Sequence, residues 1–84
     1  MQTAIHAAPD GAVMSSEGWA VRFVTPDLLE YQHGRVACLV NVGYSLEHQA
    51  CEIFASESTS MLAPRLREHL LLAATLLKGR YVVV

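Results

Sequence analysis

The sequence predicts an α+β fold: a mostly antiparallel sheet of about five or six short strands, packed by one long C-terminal amphipathic helix and followed by a short final strand. Three features carry that prediction. Apolar and polar side chains alternate between Trp19 and Phe54, turn residues punctuate the alternation, and from Leu66 to Leu77 the apolar spacing changes to that of a helix.

The opening, Met1 to Pro9, is mixed. Pro9-Asp10-Gly11 is a turn signature, because Pro pre-sets φ and Gly accepts the positive φ other residues resist, so a hairpin is expected there. Ala12-Val13-Met14 is a short apolar piece and Ser15-Ser16-Glu17-Gly18 a second turn. In Trp19 to Thr25, Trp19, Val21 and Phe23 share one side with Arg22 opposite, the period of a half-buried strand. Thr25-Pro26-Asp27 ends it, since Pro lacks the ladder donor.

Leu28–Gln32 and Arg35–Val42 read as a hairpin across His33-Gly34. The second arm is β-branched and places Val36, Cys38, Val40 and Val42 on one face, which makes it the expected central strand. Gly43 to Gln49 reads as a polar connection, and Ala50 to Ala55 as another strand with Cys51 and Ile53 on one side.

Ser56 to Ser60 offers hydroxyls able to cap a helix, and Pro64 suits a first turn. Leu66, Leu70, Ala73 and Leu77 then form an apolar stripe flanked by His69 and Leu76. Lys78 is expected in the last turn and Gly79 as a left-handed stop. Leu71 and Leu72 widen the stripe beyond one face, so they are nominated as a surface for a second subunit or for a lid of N-terminal chain. Arg80 to Val84 returns as a strand.

With 84 residues, the chain is expected to be one domain, residues 1–84. An apolar fraction of 52% argues against disorder. The net charge of −2, without a run of either sign, argues against nucleic-acid binding. The absence of a membrane-length apolar run or a signal-type N-terminus leads to a cytoplasmic expectation without membrane association.

Chemistry-bearing patterns fail on spacing. The histidines, His6, His33, His48 and His69, stand apart, with no metal-ligand spacing. His33 and His48 are expected to be solvated and His69 to pack at a core edge. Ser58, His48 and Glu52 could be drawn as a nucleophile and its base, but any serine-rich chain permits such a drawing. Glu52 and Glu57 have no reason to converge as paired carboxylates, and the glycines form no phosphate loop. No cofactor and no catalysis are expected. Trp19 and Tyr31 are read as core aromatics, with interface anchors as the alternative. Cys38 and Cys51 are read as free thiols, with a disulfide as the alternative if their strands are neighbours.

The order of elements also suggests a family. A turn-rich β segment, a Leu29-Glu30-Tyr31 arm, a Gly-containing turn, a valine-rich strand, Ile53-Phe54-Ala55-Ser56, a Pro before the helix and the closing Lys78-Gly79-Arg80-Tyr81-Val82-Val83-Val84 together resemble immunity protein family 74 of bacterial polymorphic toxin systems. The resemblance implies a protein that binds and neutralises a cognate toxin domain by occluding it. For such an interface Gln32 and His33 at the hairpin tip, Glu47 and His48 in the polar loop, and the acidic Glu52 and Glu57 are nominated, because carboxylates can stand in for the phosphates a basic nuclease-like toxin binds. The competing reading is a structural or regulatory interaction domain acting as a homodimer.

Overall fold

The computed structural model describes residues 4–55 and 63–84. Among these residues the chain forms β1 (Ile5–Ala7), β2 (Val13–Ser15), β3 (Trp19–Thr25), β4 (Leu28–His33), β5 (Val36–Ser45), β6 (Ala50–Ile53), α1 (Leu66–Ala74) and β7 (Tyr81–Val83). The strands lie side by side in chain order in one curled sheet. Neighbours are antiparallel from β1 to β6, and β7 joins β6 in parallel. A parallel neighbour cannot be reached by a hairpin, so the chain crosses over between β6 and β7 and places α1 on the way.

β5 explains the curl. Its first half, Val36 to Asn41, pairs with β4, and its second half, Val42 to Ser45, pairs with β6. One strand therefore belongs to two ladders, and the sheet turns where the partners change. The bend wraps an inner face on which Val13, Val21, Tyr31 and Cys38 stand in one cross-strand row. Leu66, Leu70, Ala73 and Leu77 close that face from the C-terminal side and are buried with it. Phe23 and Tyr81 touch across the curl, ring centroids 5.7 Å apart, although two strands remote in the sheet carry them.

The hairpin is formed as the alternation requires. Val36, Cys38, Val40 and Val42 face inward, and Gly34, with φ of 63°, supplies the left-handed first position of the two-residue turn between β4 and β5. Cys51 lies opposite Tyr44, six positions along β5 from Cys38. That is roughly 20 Å at strand rise, far beyond a disulfide's reach. Both cysteines are free thiols.

Four expectations need correction. The sheet has seven strands among the described residues, because the mixed opening contributes β1, held against β2 by Ile5, His6 and Ala7. His33 is the last residue of β4 and half-buried, so it is not a solvated turn residue. Gly43, Tyr44 and Ser45 belong to β5 and not to a loop. A Cβ on Gly43 would lie 3.2 Å from the Phe54 ring, so the glycine there makes room for an aromatic rather than for a turn.

The fourth correction concerns the helix, which runs nine residues and stops at Ala74. Beyond it the hydrogen bonds tighten, from Thr75 N to Leu72 O at 3.2 Å and Leu76 N to Ala73 O at 3.0 Å, and the Thr75 hydroxyl also donates to Leu72 O at 2.7 Å. Lys78 thus lies past the helix, and Gly79, with φ of 105°, serves the turn into β7. Arg65 occupies the N-cap without a side-chain cap bond. The hydroxyls nominated for that role, at 56–60, lie outside the described residues.

Candidate functional site

α1 meets the sheet through a polar cluster in the middle of the apolar core. The period that buries Leu66, Leu70 and Ala73 also carries His69 inward, and its side chain is 0% exposed. The Trp19 indole from β3 stacks on the imidazole, centroids 4.7 Å apart and planes 13° from parallel. Tyr31 from β4 places its hydroxyl 2.6 Å from His69 Nδ1. On the other side Glu17 Oε2 stands 3.8 Å from His69 Nε2, too far for a hydrogen bond but close enough to favour a proton on that nitrogen. In that tautomer Nδ1 accepts and the Tyr31 hydroxyl donates. His33 stands beside the pair, its ring centroid 5.5 Å from that of His69.

Arg65 ties the rim of this cluster together. Its guanidinium grips Glu68 through two bonds, of 2.9 and 3.1 Å, and reaches Glu17 at 3.5 Å. The Glu68 carboxyl is held below its ordinary pKa by that grip. Burial drives the His69 pKa down, with Arg65 and His33 adding repulsion, and burial drives the Tyr31 pKa up. Trp19, Tyr31 and His69 are sealed from solvent, so the cluster fixes the helix on the sheet and presents no base to a substrate.

The nominated surface residues fall into three places. Gln32 lies on the outer face of the sheet, where its amide donates to Glu30 at 3.2 Å, and Glu30 is paired with Arg22 at 2.9 Å. With Met14, Ala20 and Asp10 these side chains line a shallow groove of about 300 Å³. His33 is drawn to the core cluster, with Tyr31 Oη 3.4 Å from its Nδ1. Glu47, His48 and Glu52 come together at the β5–β6 hairpin, where His48 Nδ1 lies 3.1 Å from Glu52 Oε2 and the His48 amide donates to Ser45 Oγ at 3.2 Å. Glu57 lies outside the described residues.

That hairpin also holds two residues the sequence did not single out. Tyr44 is 65% exposed and Leu46 is 84% exposed. Both were read as parts of a polar connection, and the available signal was two large apolar side chains with no periodic partner to pack on. Leu71 and Leu72, nominated from the over-wide helical stripe, are exposed at 50% and 39%.

No family model, curated protein or solved structure matches this chain. Among the described residues no three His, Cys, Asp or Glu side chains group as a metal site, and no helix is long and apolar enough to cross a membrane.

Proposed function

We propose that this chain is a small binding protein that neutralises a cognate bacterial toxin domain by direct contact, made through the tip of the β5–β6 hairpin. One observation supports contact at this place: a tyrosine and a leucine stand in solvent on a hairpin tip, with Glu47, His48 and Glu52 beside them. Large apolar side chains held away from the core gain free energy when a partner covers them, and aromatic anchors concentrate binding energy. The acidic neighbours add steering toward a basic surface, in keeping with the net charge of −2. The 3.1 Å side-chain contact of His48 with Glu52 holds the loop in shape, which lowers the ordering cost on binding. The choice of a toxin as partner rests on the resemblance to immunity protein family 74.

The test is co-expression with nuclease-type toxin domains, beginning with one encoded beside this chain, followed by calorimetry on the purified pair. Growth should be restored, and a Tyr44→Ala, Leu46→Ala double variant should bind at least ~100-fold more weakly while keeping its circular dichroism. Binding unchanged in the double variant, or no binding to any such domain, would overturn the proposal.

A further inference from the structure

A separate surface, remote in sequence from the hairpin tip, carries a second inference. We infer that another copy of this chain docks along the outer edge of β7, strand against strand, with Leu71 of both copies closing over the seam.

The backbone gives the first argument. Arg80 O accepts from Cys51 N at 3.0 Å and Val84 N donates to Ile53 O at 2.9 Å, so residues 80, 82 and 84 turn their peptide groups toward β6. Strand alternation aims those of Tyr81 and Val83 the other way, and among the described residues β7 is the last strand of the sheet. Edge strands are normally blunted by a charge, a proline or a bulge. Tyr81, Val82 and Val83 carry none of these.

Side chains give the second. Leu71, Ala74 and Thr75 of α1 line, with Tyr81, Val82 and Val83, a groove of about 400 Å³ along that edge. Among the described residues no carboxylate, ammonium or guanidinium lines it. A partner of either charge finds no complement there, whereas a second copy brings the same uncharged surface and meets no repulsion. The arrangement is self-complementary, as a two-fold interface requires. With the axis at Val82, Tyr81 of one copy exchanges both backbone bonds with Val83 of the other, and the reverse pair does the same. Both sheets become continuous, and Leu71 leaves water.

Light scattering and sedimentation over a concentration series test this. The expected result is a dimer of about 18.4 kDa, twice the 9.2 kDa chain, in reversible exchange with the monomer. Leu71→Lys places two ammonium groups at the seam and should weaken association on the order of 100-fold, with an unchanged circular dichroism spectrum because Leu71 lies outside the core. Mixing Leu71→Lys with Leu71→Glu should restore a heterodimer. Amide hydrogen exchange provides the second readout: Tyr81 and Val83 should be protected in the dimer and exchange fast in Leu71→Lys. A monomer at millimolar concentration overturns the inference. So does a dimer that ignores Leu71→Lys or leaves the Tyr81 and Val83 amides unprotected.

Discussion

His69 is a polar side chain inside an apolar core, and its cost depends on its partners. Tyr31→Phe would leave His69 Nδ1 buried without its donor at 2.6 Å, a loss of about 1–3 kcal/mol, measurable as a lower urea midpoint at pH 7. The same residue sets a pH dependence. Burial holds its pKa in the folded chain below the ordinary 6.5, Arg65 and His33 lower it further, and Glu17 and Glu68 offset part of that. Around pH 6.5 the unfolded chain therefore binds a proton that the folded chain refuses. Stability from neutral His69 is complete above this pH and is lost as pH falls through it toward the lower folded value. The urea midpoint should drop between about pH 7.5 and 5.5, and His69→Phe, which can still stack on Trp19, should flatten that slope. An identical slope in the variant would place the proton elsewhere. The sequence put His69 at an edge of the core, because it flanks the leucine stripe; the structure corrects this to full burial, since Trp19 and Tyr31 reach it from strands that the local pattern does not reveal as neighbours.

At the scale of elements, the sequence was most informative where one period ran uninterrupted. Trp19 to Phe23 alternates with Arg22 outward and Val36 to Val42 is rich in β-branched residues, and both are strands with the anticipated face inward. It was least informative where pairing, not pattern, decides structure. Ile5, His6 and Ala7 become a strand through β2, and Gly43 looked like a turn because its reason for being small, the Phe54 ring, comes from the residue that follows β6. The helix shows a third limit. Leu70 to Leu72 are alike in composition, yet Leu70 is 0% exposed while its two neighbours face solvent. Leu70→Ala should therefore cost about 2–5 kcal/mol in chemical denaturation, through lost burial and a residual cavity. Leu72→Ala should cost less than about 1 kcal/mol under the same dilute conditions. Gly79→Ala forces a Cβ into φ of 105° and should lower stability by about 1 kcal/mol or more, whereas equal stability would mean that the turn into β7 can relax.

For the whole molecule, the question is whether α1 and β7 form one cooperative unit with the meander. The sequence announced the hairpins, because their contacts are local, but not the crossover that carries the chain over the sheet to a parallel β7, because that contact joins distant positions. The same limit hid the candidate site: Glu47 and His48 were nominated as loop charges, while Tyr44 and Leu46 became visible as exposed apolar side chains only once the curl left them without a core to enter. Cooperativity should follow from that curl, since β5 pairs in both ladders and the buried cluster runs without a break from Val13 on β2 through Leu70 on α1 to Val83 on β7. Trp19 is the one tryptophan in the chain, and it stacks on His69, so its fluorescence reports the docking of α1 on β3, while far-ultraviolet circular dichroism reports backbone structure throughout. For a two-state domain the two signals must share one transition in urea. Coincident midpoints are therefore expected, with a slope near the low end of the usual range, about 1 kcal/mol per molar, because a chain this short exposes little new surface. If the fluorescence changed first, α1 would leave the sheet before the meander melts, and Trp19 with His69 would be a clasp between two separable parts and not the centre of one core.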